Sequence, residues 1–146
     1  MKRPGKPISR KNSIVLDTNV IIRFLVGDEE TLYQKAAGIF SDIENDLVKA
    51  VILESVLAET VFVLEKVYRV ERALVADVLL RILDLKGMRN TNKQILRTAV
   101  EYYKRSKIDI VDCLVCAFGV LNEMEIVSFD KDLKSCKKFM GQQKNT

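Results

Sequence analysis

The chain has 146 residues, 48% of them hydrophobic, with 24 Lys and Arg against 20 Asp and Glu, a formal net charge of +4, three cysteines and no histidine. That length and apolar content suit one domain with a proper core, and no apolar stretch reaches membrane-spanning length. The missing imidazole excludes His general bases, Ser-His-Asp triads and ordinary His-bearing zinc sites, and the odd cysteine count in apolar surroundings predicts a reduced, cytoplasmic protein over a disulfide-stapled secreted one.

Residues Met1–Asn12, with Pro4, Gly5 and Pro7 among charged side chains, read as a flexible basic arm, and Asp17 and Arg23 interrupt the apolar run that a signal peptide would need. Ile14, Val15 and Leu16 form a short all-apolar run, suited to a strand covered on both faces, and the run ends at Asp17. Thr18 and Asn19 offer side chains that accept hydrogen bonds from the first free N–H groups of a helix, continued by Val20, Ile21, Phe24 and Leu25. Asp17 thus falls where a buried strand gives way to a helix, the usual place for ligand chemistry in open parallel sheets and equally a place where an Asp caps.

Gly27 and Asp28 predict a turn, Leu32, Ala36, Ala37, Phe40 and Ile43 a second helix ending near Asn45, and Lys49–Ile52 a second strand. From Leu53 the positions Val56, Leu57, Thr60, Val61, Leu64, Val67 and Tyr68 predict a long helix carrying Glu54, Glu59 and Glu65. Glu54 and Glu59 both fall at the edge of its apolar face, and periodicity does not choose between them. Helices follow over about Glu71–Leu85, with Gly87 as a stop, and from Asn92, with Ile95, Ala99, Val100 and Tyr103 inward. Over Ser106–Leu121 the spacing puts Val111, Leu114, Val115, Phe118 and Leu121 on one stripe, with Asp109 and Asp112 one turn apart at the helix N-terminal end. Glu125–Ser128 reads as a last strand, followed at once by Phe129, Asp130, Lys131 and Asp132, the same grammar as the opening stretch.

Short strands alternating with helices predict an α/β layer fold with a largely parallel sheet, as a single domain over 13–140 ahead of a disordered tail, 141–146. Nine of the positive charges lie in the two termini, which leaves the body from Ser13 to Leu133 net acidic. An acidic body with basic ends fits a carboxylate-lined site whose polyanionic substrate is held by peripheral Lys and Arg. Solvated, solubilising tails are the alternative reading of the ends.

The candidates for chemistry are Asp17 and Asp130 at strand C-termini, Asp112 near a helix N-terminus, and a Glu from the helix after the second strand. In a parallel sheet such places share one edge. Gathered carboxylates raise one another's pKa values, so a cluster is costly unless a cation occupies it, and all-oxygen donors select Mg²⁺ or Mn²⁺ over zinc or copper. Such a site activates water and stabilises the leaving oxygen of a phosphodiester without any imidazole. Scattered, solvated acids are the ordinary alternative in a chain with 20 of them. Arg23, Lys107 and Lys131, close to these acids in sequence, are the candidates for holding a polyanionic substrate, with ordinary surface charge as the alternative, and the Cys113-x-x-Cys116 pair reads as helix core.

Four motifs, L-D-T-N-V (Leu16–Val20), S-V-L-A-E-T (Ser55–Thr60), D-I-V-D-C-L-V-C-A (Asp109–Ala117) and S-F-D-K-D-L (Ser128–Leu133), stand in an order and spacing that resemble a PIN-domain ribonuclease, most like the VapC-type toxins of prokaryotic toxin–antitoxin pairs. The resemblance runs from Ile14 to about Phe139. It implies a three-layer α/β/α fold with a mainly parallel sheet of about five strands, and an acidic metal site formed by Asp17, Glu59, Asp112 and Asp130, with Glu59 preferred to Glu54. It further implies supporting roles for Asn19, Asp109, Ser128 and Asp132, cleavage of RNA with Mg²⁺ or Mn²⁺, a homodimer, and inhibition by a cognate antitoxin. The basic arm departs from that family's pattern. Two other readings stand beside it: a catalytically silent binding module for RNA or protein, and a phosphohydrolase working through an aspartyl phosphate on Asp17, weakened by Asn19 standing two residues on where a second Asp belongs.

Overall fold

The computed structural model describes residues 12–134 together with Cys136 and Lys138. All of the basic arm before Asn12, and the tail 141–146, lie outside the described residues. The elements are β1 (Ser13–Val15), α1 (Thr18–Val26), α2 (Glu30–Glu44), β2 (Lys49–Val51), α3 (Glu54–Lys66), α4 (Arg72–Leu83), α5 (Lys93–Arg105), α6 (Ile110–Leu121) and α7 (Lys131–Lys134). The class is mixed α/β with parallel pairing, as the alternation of apolar runs predicts. Two compact units divide the chain, residues up to Thr60 with Asp84–Thr91, and Val61–Leu83 with everything from Asn92; the division falls inside α3.

In the first unit β1 and β2 pair in parallel, Ile14 opposite Ala50, and the Leu16 N–H extends the ladder to Val51 O at 3.0 Å. The other side of β2 meets the stretch 87–89, where Ala50 N–H donates to Gly87 O and Arg89 N–H to Ala50 O, each at 2.8 Å. Asn90 continues that pairing with its side chain, accepting from Ile52 N–H at 2.9 Å and donating to Ile52 O at 2.8 Å. Gly87, expected as a helix stop, is needed for this close approach. A Cβ there would collide with the Val48 carbonyl and lie 2.7 Å from Ile43 O, the acceptor of its own N–H. On the other side of the unit, α1 ends at Gly27, whose φ of 67° is free of Cβ strain and whose N–H closes on Arg23 O at 3.1 Å. Phe24 of α1 then stacks on Phe40 of α2 with ring centroids 4.2 Å apart. Leu16, Ile21, Ile43, Ala50, Ile52 and Leu57 are all buried and form the unit's apolar interior.

β1 and β2 are the strands among the described residues, where the resemblance implies about five. Val15 is 62% exposed, so β1 lacks the cover on both faces that its apolar run predicts. The run Glu125–Ser128, expected as a strand, forms no ladder. In the second unit Ile126 is instead seated on α6 at Gly119, where a Cβ would lie 2.5 Å from Ile126 Cγ1, and Met124 N–H donates to Gly119 O at 2.8 Å. Local β-propensity does not make a strand without a partner edge.

The second unit is built from helices, with Val75, Leu79, Leu96, Val100, Tyr103, Cys113 and Ala117 buried. α6 turns a different face inward from the expected stripe: Ile110, Cys113, Leu114, Cys116, Ala117 and Gly119 are buried, while Val111, Val115 and Phe118 stand exposed. Nearly every position of α6 is apolar, so spacing has no contrast from which to choose a face. The reduced-cysteine expectation is corrected as well. Cys116 and Cys136 are joined as a disulfide with Cα atoms 6.0 Å apart, and Cys113 is a buried free thiol pushed up to about 12 by its burial. An odd count and apolar neighbours carry no information on which two sulfurs meet. Among the described residues no helix is long and apolar enough to cross a membrane.

Candidate active site

The acids singled out in the sequence fall into two sets, one in each unit. Asp17 is the N-cap of α1, with φ −92° and ψ 156°. Its carbonyl receives the N–H groups of Val20 at 3.1 Å and Ile21 at 3.3 Å, while its side chain makes no capping bond and is exposed. The capping alternative for the Asp17 carboxylate therefore fails: the backbone starts the helix and the carboxylate stays open to other ligands. Thr18 also departs from its expected role as a cap acceptor. It is the first helical residue, 5% exposed, and its hydroxyl donates to Glu59 Oε2 at 2.8 Å across 41 positions of sequence. That bond draws the exposed Glu59 carboxylate to the residue beside Asp17. Glu54 occupies the first turn of α3, where a carboxylate complements the helix dipole.

Asn19 is exposed and lines a cavity of about 400 Å³ with Val20, Arg23, Leu32, Lys35 and Ile39. Arg23 is itself held by Asp28 at 3.0 Å.

In the second unit Asp109 is the N-cap of α6 and, like Asp17, makes no capping bond with its side chain; its carbonyl receives Cys113 N–H at 3.0 Å. Asp112 follows in the first turn, where the helix dipole favours an anion. The turn before α6 is set by Ser106 Oγ, which accepts from Ile108 N–H at 3.2 Å, and by Arg72, which donates to Ile108 O at 2.8 Å. Ser128 organises the approach to Asp130, its Oγ accepting from Asp130 N–H at 2.9 Å. Asp130 Oδ1 in turn accepts from Asp132 N–H at 2.9 Å, which caps the short α7 and fixes one carboxylate oxygen. Lys107 and Lys131, exposed, lie in these same segments.

Asp112 registers what this assembly does electrostatically. Its carboxyl is held above the usual carboxylate range first by partial burial and then by the negative charges of Asp130, Asp109 and Asp132. Three anions acting on a half-buried fourth is the stress that a bound cation relieves. The donors are all carboxylate oxygens, so a hard divalent ion fits their chemistry and zinc or copper does not. Within neither unit, among the described residues, do three or more His, Cys, Asp or Glu side chains stand grouped closely enough to hold an ion.

Two functional candidates were invisible to sequence reasoning. Thr18 carried a cap-like signal that pointed to the wrong partner. Arg72 carried none, because what it binds are backbone carbonyls 31 and 36 residues further on.

The family described as PIN domain matches residues 14–138. A VapC ribonuclease of Aquifex aeolicus (strain VF5) is 29% identical over 121 residues, which covers 82% of this chain and 89% of that protein. No solved structure is matched by the chain.

Proposed function

The chain belongs to the PIN-domain family, and from that premise we propose that it is a VapC-type ribonuclease hydrolysing RNA phosphodiester bonds with Mg²⁺ or Mn²⁺, the toxin of a toxin–antitoxin pair. The observation that carries the reading is the family match over residues 14–138, a span in which Asp17, Glu59, Asp112 and Asp130 all stand; burial of Asp112, with the charges of Asp130, Asp109 and Asp132, holds its carboxyl above the usual range and supports it. A pure binding module gains nothing from such a set of acids.

Asp17, Glu59, Asp112 and Asp130 are the residues that would hold the cation. When bound, such an ion lowers the pKa of water and stabilises charge developing on the phosphodiester oxygens. With no imidazole in the chain, proton transfer falls to a carboxylate, and Glu59 is the candidate. Its Oε2 is engaged by the Thr18 hydroxyl, which leaves Oε1 to accept the proton of the attacking water. Asp130, with Oδ1 held by Asp132 N–H, presents Oδ2. Lys107 and Lys131 hold the RNA backbone by charge, so binding weakens steeply with salt. Carried with this reading are the sheet of about five strands, a homodimer and a cognate antitoxin, as the family resemblance implies, together with the single domain over 13–140 and the cytoplasmic location expected from length and composition.

The test is cleavage of a structured RNA panel by purified protein with Mn²⁺, with Mg²⁺ and with chelator, alongside Asp130→Asn. The expected result is metal-dependent cleavage that falls by about a hundredfold or more in the variant. RNA bound but intact under every metal condition, in protein freed of any co-purifying inhibitor, would turn the reading to the silent binding module.

A further inference from the structure

Three segments of the second unit, distant in sequence, meet on one guanidinium. Arg72 opens α4, and its Nη2 donates to Tyr103 O in α5 at 2.7 Å and to Ile108 O in the turn before α6 at 2.8 Å. Its Cζ lies 3.8 Å from the centroid of the Tyr103 ring, and its Nη1 stands 3.7 Å from Glu65 Oε1. Tyr103 is fully buried, so the guanidinium rests on a face that cannot yield. Ile108 directly precedes Asp109, the N-cap of α6, and Asp112 follows one turn on. The first backbone bond of α6 runs from Cys113 N–H to Asp109 O, so the Ile108 carbonyl lies outside the helix ladder. Besides Arg72 it receives, among the described residues, the weak thiol donor of Cys113, at 3.6 Å. A lysine cannot reproduce this clamp, because one ammonium does not both stack on a ring and fork across two carbonyls.

We propose that Arg72 is a positioning residue for the nuclease: by tying the Ile108 carbonyl to the end of α5 it fixes where α6 starts, and so how Asp109 and Asp112 are presented. This rests on the reading of Asp112 as one of the acids that would hold the cation, with Asp109 supporting it. A displacement of about 1 Å in such groups lowers the rate on the order of a hundredfold, so the clamp acts on turnover more than on RNA affinity.

The experiment compares Arg72→Met, Arg72→Lys and a control, Leu79→Ala, which opens a cavity in the same helix at a buried position. For each, kcat and KM for RNA cleavage with Mn²⁺ are measured at equal fraction folded, together with amide hydrogen exchange over residues 113–116, whose N–H groups make the first backbone bonds of α6. Arg72→Met is expected to lower kcat by about tenfold or more with KM within about twofold, and to speed exchange at 113–116 by a similar factor. Arg72→Lys recovers part of kcat, and Leu79→Ala keeps it. Equal losses of kcat in Arg72→Met and Leu79→Ala would reduce Arg72 to a general stabiliser and overturn the proposal. Exchange at 113–116 unmoved by Arg72→Met overturns the clamp itself, whereas a wild-type protein that cleaves no RNA overturns the nuclease reading instead, so the two failures are told apart.

Discussion

Replacing Thr18 by Val removes one hydroxyl at nearly constant volume from a residue that is 5% exposed, and with it the 2.8 Å bond to Glu59 Oε2. Hydrogen bonds to a charged partner contribute about 1.5–3 kcal/mol. Glu59 is exposed and regains water, so the loss falls below that range, at about 1 kcal/mol. With a urea m-value of about 2 kcal/mol/M, the unfolding midpoint drops by roughly 0.5 M. Function is expected to suffer more visibly. If the hydroxyl aims Glu59 at the attacking water, about 1.4 kcal/mol of transition-state stabilisation disappears, a tenfold fall in kcat with KM little changed. Thr18→Ser keeps the hydroxyl and is expected to restore both quantities. Urea denaturation and cleavage of a fluorogenic RNA with Mn²⁺ read the two effects. Full activity in Thr18→Val would refute the orienting role of Thr18, and a loss in Thr18→Ser as large as in Thr18→Val would refute the hydroxyl as the cause, because Ser keeps it.

Asp112→Asn is expected to abolish cleavage while raising stability in chelator at neutral pH. Because the folded Asp112 carboxyl titrates above its ordinary 3.8, the stability it contributes is present below that value and is lost as pH rises through the higher folded value. The melting temperatures of variant and wild type should therefore converge in acid and separate toward pH 7, and parallel curves would refute the like-charge stress. Gly87→Ala drives a Cβ into the Val48 carbonyl and within 2.7 Å of Ile43 O, backbone atoms that cannot swing away; a loss of about 3 kcal/mol is expected in urea unfolding, and a loss below about 1 would show the approach to be loose. The Cys116–Cys136 disulfide, spanning 20 positions, is expected to contribute about 3 kcal/mol by restricting the unfolded chain. Cys136→Ser should lower the melting temperature accordingly, and thiol titration of the denatured, unreduced protein should find one thiol, Cys113; three would refute the pairing.

What the sequence by itself determined is whatever depends on neighbours in the chain. The apolar run Ile14–Leu16 stopping at Asp17, the helical spacing after Leu53 and the acidic start at Asp109 are local patterns, and they foretold β1 with α1, α3 and α6 together with the positions of their acids. The same local grammar brought out Asp130 and Ser128, whose turn is made by bonds across two residues. The tertiary structure decided everything that rests on distant partners. α6 is apolar nearly all round, so its buried face was chosen by what packs on it: of the expected stripe Val111, Val115 and Phe118 came out exposed and Leu114 buried. Glu125–Ser128 is rich in β-formers, yet strand formation needs an edge to pair with, and Ile126 lies on Gly119 of α6. Thr18 found Glu59 across 41 residues, and Arg72 found carbonyls 31 and 36 residues away. A backbone carbonyl is the same group at every position of the chain, so only the fold could say which of them a guanidinium would meet.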